Sequence, residues 1–508
     1  MNRTQKFALN SLTAAAYQVI VMIAGFITPR LMIATYGSEV NGLVSSLNQF
    51  ISYITLVEAG IGGAAIFSLY KPLANNDTQG VSSIVVSARK SYRQAGYIFS
   101  SGIFSLALIY GLICRTESLT FATIFPLALL LGVNGCVDFF FVSGYRVLLT
   151  ADQKNYILSL SGILQTVLRT VIICILATGK INVVVLYTIA VIPVLLKCGC
   201  IYFYSKRAYP YIDKRAPADS SALNKRWDVI YQQILGTVQT GAPTVIATAV
   251  LDLLQVSVYS IYNMVVSGIN GVLSIFITGL PAGFGELIAK GEKENLKKTV
   301  SEFEVAYYYL LSIVYGVTMV MILPFVSVYT SGITDVNYYS PILAFVIVLN
   351  GLLYNIKTPQ SMLIISAGMY KETRWRVTAQ GAIIIVMGVA LGIPYGLPGI
   401  IIGSCLSNIY RTIDLIFFVP RRITHNRASS SVFRMIRVLL NIAIICAPAL
   451  VWKINVTGYF EWICYSAVYG IYALIVVTSM TLIFDRKEFF SLIYRVKNLL
   501  LRKNRSNT

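Results

Sequence analysis

The chain has 508 residues, of which 56% are hydrophobic and 12% are charged, and its formal net charge is +20. Soluble domains carry about 25% charged residues, so this composition excludes a protein whose surface faces only water. Apolar runs of roughly 18 residues or more recur, and each is long enough to cross a bilayer as a helix. The sequence therefore predicts an all-α protein that crosses the membrane many times, because helices satisfy their own backbone hydrogen bonds in lipid.

Fourteen apolar runs follow one another along the chain. In order, these predicted spans are 7–35, 42–70, 96–114, 119–142, 156–178, 181–204, 229–251, 256–277, 307–329, 341–367, 377–393, 399–419, 438–452 and 462–484. The seventh is the most polar, since it contains Gln233, Gln239 and Thr240. Polar residues in a span usually face the bundle interior or a cavity. Between the spans, the mixed-charge loops 72–93 and 286–302 are predicted to form short amphipathic surface helices.

The distribution of lysine and arginine predicts the orientation of the spans. If the N-terminus is cytoplasmic, only Arg115, Lys180 and Lys453 of the 41 basic residues face outward, and most of the others lie in cytoplasmic loops. The positive-inside rule therefore places both termini in the cytoplasm. The net positive charge follows from this topology and from attraction to anionic headgroups, so it does not require a nucleic-acid partner.

The sequence also repeats itself at an offset of about 216 residues, so that Asn134 matches Asn350 and Pro29 matches Pro243. Six spans per repeat keep both copies in one orientation, which predicts two six-helix lobes related by a pseudo-twofold axis around a central cavity. Pro29 and Pro243 lie in the first span of each lobe and are candidate hinges, although membrane helices tolerate proline widely. The predicted domains are an N-terminal lobe at 1–204, a cytoplasmic linker at 205–226, a C-terminal lobe at 227–420, two additional transmembrane helices at 438–484 and a basic cytoplasmic tail at 485–508.

The sequence gives no sign of a metal centre, a catalytic triad or a nucleotide-driven pump. The eight cysteines show no metal-ligand spacing, and the only histidine, His425, lies in a basic loop. No Gly-x-x-x-x-Gly-Lys-Ser/Thr element is present. We therefore expect a protein that is not an enzyme and needs no cofactor, and whose transport draws on an ion gradient, the membrane potential or consumption of its product.

Several short motifs resemble a known family. They are YGSEVNGL at 36–43, EAGIG at 58–62 and SLYKPLA at 68–74, with AGMYK at 367–371 further along the chain. These motifs resemble the polysaccharide-export branch of the multidrug/oligosaccharidyl-lipid/polysaccharide flippase superfamily. The resemblance implies a two-lobed, MATE-like transporter of twelve core helices, here with two extra helices, in the bacterial cytoplasmic membrane.

The same resemblance implies a cargo and partners. The cargo is an oligosaccharide on polyprenyl pyrophosphate, moved from the inner to the outer leaflet for cell-surface polysaccharide biosynthesis. The implied partners are membrane lipids and other polysaccharide-assembly proteins. The motifs say little about the sugar.

Charged residues inside the spans are the candidate binding groups, because each costs at least about 2.5 kcal/mol to insert and needs a partner or a wet cavity. Helix rise places Arg30 roughly 8 Å and Arg169 roughly 14 Å below the outer surface, where no carboxylate lies at the same depth. A guanidinium binds phosphate oxygens in a bidentate fork, so both arginines are predicted to hold the lipid pyrophosphate. The alternative is that one or both reach the outer headgroups.

Four further basic residues are candidates for contact with an anionic substrate. Lys197, Lys357 and Arg411 lie inside spans, and Arg146 lies at the cytoplasmic end of the fourth span, where an ordinary positive-inside anchor is the alternative. Arg411 and Asp414 are three residues apart on one helix, which predicts a local ion pair.

Three carboxylates in or near the spans are candidates for coupling transport to Na⁺ or H⁺. Glu58, Asp138 and Asp414 could each alternate between charge states in a cavity, and they are equally explicable as structural partners of cations. Glu58 lies at about the depth of Lys197 and Lys357, roughly 24 Å, so a pair with one of these lysines is expected.

A cation-coupled multidrug or organic-cation antiporter of the same superfamily is the alternative function. Such a protein needs carboxylates that can bind a cationic cargo, whereas these spans carry a slight basic excess. A membrane polymerase or ligase is disfavoured, because the longest outward loop, near 330–340, leaves little room for an active site.

Overall fold

A computed structural model describes residues 3–213, 216–217, 227–277, 280–425, 428–452, 454–492 and 494. Helices account for nearly all of this part of the chain, and none of the described residues lies in a strand. The chain divides into two compact units, Met1–Ser260 and Ile261–Thr508. Lys453, residues 214–215 and 218–226 of the predicted linker 205–226, and the end of the predicted tail lie outside the described residues.

The first unit contains ten helices over its described residues. They are α1 (Arg3–Tyr36), α2 (Ser38–Thr55), α3 (Ile61–Ala74), α4 (Thr78–Ile113), α5 (Phe121–Val137), α6 (Ser143–Ala151), α7 (Asn155–Thr178), α8 (Val183–Ile189), α9 (Ile192–Ala208) and α10 (Trp227–Val250). A 3₁₀ turn, Leu56–Glu58, breaks α2 from α3, and a π-helical turn, Asp138–Val142, joins α5 to α6.

The second unit begins within α11 and continues to the end of the chain. Its helices are α11 (Leu253–Ile277), α12 (Leu280–Ala289), α13 (Lys293–Tyr329), α14 (Pro341–Ile356), α15 (Thr358–Ser366), α16 (Tyr370–Val419), α17 (Ala428–Val451) and α18 (Tyr459–Phe484). A second π-helical turn, Pro420–Thr424, follows α16.

All fourteen predicted spans fall on these helices. Eleven described helical segments are long and apolar enough to cross a membrane, and the bent pair Ser38–Glu58 and Ile61–Ala74 makes twelve. α16 carries two predicted spans, which meet at Gly396, a residue with φ of 63°. The predicted seventh span lies on α10, which does not meet the hydropathy test because of its glutamines and threonines. The protein is a multi-pass membrane protein.

The bend in α16 is a tight helical hairpin that glycines make possible. A Cβ atom added to Gly399 would overlap the Leu391 carbonyl, and one added to Gly403 would overlap the backbone of Gly388. Gly399 and Gly403 are four residues apart, so they lie on one face of their segment and let the two backbones touch.

The repeat that the sequence indicates is visible in the order of the helices. Four helices have counterparts that begin 215 residues later: α2 and α11 at Ser38 and Leu253, α4 and α13 at Thr78 and Lys293, α6 and α15 at Ser143 and Thr358, and α7 and α16 at Asn155 and Tyr370. The short surface helices predicted at 72–93 and 286–302 are not separate elements. Their second halves form the beginning of α4 and α13, which continue without a break for 36 and 37 residues.

α10, the first helix of the predicted C-terminal lobe, packs against α2 within the first unit. A small residue lets the two helices approach closely, since a Cβ atom on Gly241 of α10 would overlap the Gln49 side chain of α2. The hydroxyl of Ser46 lies 2.7 Å from that of Thr248, so the contact is polar as well as close.

A cluster around Asp152 fastens the ends of α1 and α9 to the turn between α6 and α7. Lys6 and Lys154 pair with this carboxylate at 3.2 and 2.7 Å, and the Tyr209 hydroxyl donates to it at 2.7 Å. Burial raises the pKa of Asp152, but these hydrogen bonds and charges outweigh burial and hold the pKa below its ordinary value.

Candidate functional site

The two arginines proposed to hold the pyrophosphate lie on helices that pack side by side. α1 and α7 run parallel to each other. Each residue of α1 lies beside the residue of α7 that is about 145 positions later in the sequence. Asn10 accepts a hydrogen bond from the Tyr156 amide at 2.7 Å, and the ring of Tyr17 packs against Gly162. This register fixes where each arginine lies along the helix pair.

Arg30 lies on α1 and Arg169 on α7. At this register Arg30 is about six residues, or about 9 Å, nearer the C-terminal end of the helix pair than Arg169. Both side chains are partly buried. The Arg169 guanidinium lies 6.0 Å from the centre of the Tyr187 ring, and among the described residues it forms no ion pair with a carboxylate.

Glu58 pairs with Arg146, and the expected pair with Lys197 or Lys357 is wrong. The Arg146 Nη2 lies 2.6 Å from Glu58 Oε2, and the guanidinium lies 5.7 Å from the centre of the Tyr92 ring. Helix rise misplaced Glu58 because span 42–70 is not straight but breaks at 56–60. Glu58 and the Tyr92 ring thus both contact Arg146, whose side chain is still 32% exposed.

Asp138 pairs with Lys197, at 3.3 Å between Oδ1 and Nζ. Asp138 begins the π-helical turn between α5 and α6, and π-turns inside helices are frequent at functional sites. This turn shifts the register of the residues around Asp138, so a depth scale based on straight helices does not predict its partner on α9.

The second unit holds Lys357 at the junction between α14 and α15. Its ammonium donates a hydrogen bond to the amide oxygen of Asn408 and lies 4.7 Å from the centre of the Tyr354 ring. Lys357 is only 5% exposed, and no ion pair joins it to a carboxylate among the residues that the structure describes. Asn408 in turn donates to Asn350 at 2.9 Å and lies 3.5 Å from Gln380 Nε2.

Arg411 pairs with Asp414 at 2.6 Å, which confirms the predicted local ion pair. Arg376, from the other arm of the α16 hairpin, also pairs with Asp414. Arg411 lies one helical turn after Asn408, the residue that accepts the hydrogen bond from Lys357, so the two cations are near each other. Asp414 therefore pairs with two arginines while Lys357 has no carboxylate partner among the described residues, so this region carries a positive excess.

Sequence reasoning missed the neutral partners of these charges. Asn350, Gln380 and Asn408 hold Lys357 in place, and Tyr92 supports Arg146. Polar residues within apolar runs are a readable signal. Asn350 in particular lies within an apolar run and recurs at the repeat offset from Asn134.

The candidate hinges Pro29 and Pro243 lie inside α1 and α10. Their role stays a prediction. Within the described ranges, no group of three or more histidine, cysteine, aspartate or glutamate side chains could hold a metal ion.

The sequence matches no protein-family model and no curated protein. Solved structures with the same fold exist. An inward-facing multidrug resistance MATE family transporter of the MOP superfamily is 14% identical, with a TM-score of 0.64 over 85% of this chain and 99% of the other. Lipid II flippase MurJ in an inward closed conformation is 13% identical, with a TM-score of 0.64 over 94% of this chain and 99% of the other.

A third structure, an outward-facing MATE family transporter, is 13% identical and has a TM-score of 0.58 over 86% of this chain and 97% of the other. These likenesses show that the chain has the fold of MOP-superfamily transporters. At such low identity they show the fold alone, so function must be argued from the charged residues.

Proposed function

We propose that the protein is a flippase that moves a polyprenyl-pyrophosphate-linked oligosaccharide across the bacterial cytoplasmic membrane by alternating access. The product would serve cell-surface polysaccharide biosynthesis. The observation that carries the proposal is Lys357, a buried cation whose described contacts are neutral. Its acceptor, Asn408, lies one helical turn before another cation, Arg411. A buried cation of this kind attracts an anionic group.

The first unit adds to this support. Arg30 and Arg169 lie on adjoining helices about 9 Å apart along the helix axes, a spacing that suits contacts at either end of an elongated anionic headgroup. Guanidinium groups bind phosphate oxygens bidentately and stay charged at any physiological pH.

Arg146 and Lys197 are proposed as cations that exchange partners during transport. In the present conformation Glu58 and Asp138 hold them. A pyrophosphate could displace these carboxylates, which would then bind a proton or Na⁺ as the coupling ion. Asp414 is the equivalent candidate in the second unit.

The fold is compatible with both candidate functions, since it occurs in a lipid II flippase and in multidrug transporters. The charges favour the flippase. A cationic drug needs a carboxylate that can bind it, and Glu58, Asp138 and Asp414 are all paired with lysine or arginine. Most of the basic loops lie on the same side of the predicted spans as the two termini. This distribution supports an orientation with both termini in the cytoplasm.

The test is reconstitution in liposomes with a labelled polyprenyl-pyrophosphate glycan, with its appearance in the opposite leaflet as the readout. We expect the wild type to move the lipid, Lys357→Met to reduce the rate at least tenfold, and the exposed-site control Lys371→Met to leave it unchanged. Uptake of a cationic dye, measured in parallel, tests the antiporter. Movement of the dye without movement of the lipid would refute the flippase.

A further inference from the structure

A buried network joins the two additional helices, α17 and α18, to the segment that carries Lys357. Its centre is Arg434 on α17, whose side chain is 9% exposed. The guanidinium donates to Glu304 at 2.8 Å and to Ser301 at 2.7 Å, both on α13. It also contacts Asp485 at 3.3 Å and Glu488 at 3.2 Å, which follow α18.

Glu304 links Arg434 to α15, because it contacts both Arg434 and Gln360. Its carboxylate is 4% exposed, and its two oxygens have separate partners. Oε2 accepts from Arg434, whereas Oε1 accepts from Gln360 at 2.9 Å and from Ser431 at 2.8 Å. Since Arg434 fixes one oxygen, it also fixes the orientation in which the other meets Gln360.

Gln360 lies three residues after Lys357 and is itself buried, with 3% exposure. The Tyr308 hydroxyl of α13 donates to the carbonyl of Ile356, the residue before Lys357, at 3.0 Å. The same hydroxyl lies 3.4 Å from Gln360 Oε1. α13 therefore holds the α14–α15 junction on both sides of Lys357.

We propose that Arg434 is a positioning residue for Lys357, acting through Glu304 and Gln360. The two additional helices are then a working part of the anion site of the second unit. This inference rests on the proposed function only in its expectation that Lys357 meets a pyrophosphate. The geometric part, that Arg434 sets the position of Lys357, stands apart from it.

The positioning role is tested first by a measurement that needs no substrate. Lys357→Cys, placed in a variant whose native cysteines are replaced, reports the exposure of this position through its rate of labelling by a thiol reagent. We expect Arg434→Met to change this rate at least fivefold. Gln360→Leu should also change the labelling rate at least fivefold. Because it leaves the Arg434–Glu304 pair intact, this variant tests the proposal even if Arg434→Met does not fold.

Arg437→Met is the matched control. Arg437 lies one turn from Arg434 on α17 and pairs with Asp485, and its guanidinium lies 5.1 Å from the centre of the Phe484 ring. Its described contacts do not include Glu304. It shares Asp485 with Arg434, so its loss weakens the attachment of α17 to α18, but it leaves the contacts from Arg434 through Glu304 to Gln360 in place. The labelling rate should therefore change less than twofold. Equal changes in Arg437→Met and Arg434→Met would overturn the proposal.

The second measurement is the affinity for geranylgeranyl pyrophosphate in detergent micelles. Arg434→Met and Lys357→Met should each raise Kd at least fivefold, and the double variant should be no more than twofold weaker than Lys357→Met. If Kd in the double variant rises by the product of the two single increases, Arg434 acts independently of Lys357. That result would refute the positioning role of Arg434 through Glu304 and Gln360. If wild type does not bind this lipid, the proposed function fails, and the labelling rates alone decide the positioning role.

Discussion

Replacing Lys357 by methionine should remove anion binding without weakening the fold. Lys357 is buried, and its described partners are the Asn408 amide oxygen and the Tyr354 ring. A buried charge with neutral partners lowers the stability of the fold. Such a charge is retained where function requires it. Methionine fills a similar volume, so the substitution isolates the charge.

The magnitude follows from three contributions. The hydrogen bond from the ammonium to Asn408 contributes about 1.5–3 kcal/mol, as hydrogen bonds to charged groups do. The contact with the Tyr354 ring contributes about 2 kcal/mol when desolvated. Against these stands a desolvation penalty of several kcal/mol for a buried ion. The free energy of unfolding of Lys357→Met should therefore change by less than about 1 kcal/mol, or rise.

The assay is unfolding of the purified protein in detergent, with and without geranylgeranyl pyrophosphate. A ligand at 100 times its Kd stabilises the folded state by about 2.7 kcal/mol. Wild type and the exposed-site control Lys371→Met should show this gain, and Lys357→Met, with a Kd at least fivefold higher, should lose at least about 0.9 kcal/mol of it. Arg434→Met provides the contrast, since removing one partner of a buried ion pair costs about 3–5 kcal/mol.

Two results would refute this reasoning. A loss of more than about 3 kcal/mol in Lys357→Met would mean that the ammonium is a structural element like Arg434. Full ligand stabilisation in a well-folded Lys357→Met would mean that the pyrophosphate binds without this charge.

Two further predictions concern stability. The pKa of Asp152 is lowered in the folded protein, so its carboxylate stabilises the fold above its ordinary pKa of 3.8, and this contribution is lost as the pH falls through the lower folded value. Acidification below about pH 4 should therefore destabilise wild type more than Asp152→Asn, as measured by unfolding in detergent between pH 3 and 7. Gly403→Ala should cost about 1–3 kcal/mol because its Cβ overlaps Gly388, whereas Gly470→Ala, whose Cβ meets no neighbour, should be neutral or slightly stabilising. Equal thermal unfolding of the two alanine variants would contradict the close packing of the α16 hairpin.

The hydropathy of the apolar runs predicted the helical fold well, because such a run must be helical in lipid wherever it occurs. Hydropathy could not predict where a helix bends. The break at 56–60 depends on Gly60 at φ of 80°, and the α16 hairpin depends on Gly396 at 63°. Both glycines lie inside apolar sequence, where a hydropathy window averages over them.

Partners of the buried charges were predictable only along a single helix. The Arg411–Asp414 pair follows from a spacing of three residues, which brings two side chains to one face whatever the tertiary structure. The Glu58–Arg146 pair depends on the bend after α2. A depth scale that assumes straight spans therefore assigned Glu58 to the wrong cation.

The kind of partner each cation has also separates the candidates for substrate contact. Arg411 shares Asp414 with Arg376, so drawing it toward a substrate would strip a buried carboxylate of a partner. Lys357 would give up only an amide oxygen and a ring, and Asn408 would keep its bond to Asn350. Neutral partners are cheaper to leave than charged ones. Lys357 is therefore better suited than Arg411 to a contact that would form and break in each cycle of the proposed transport.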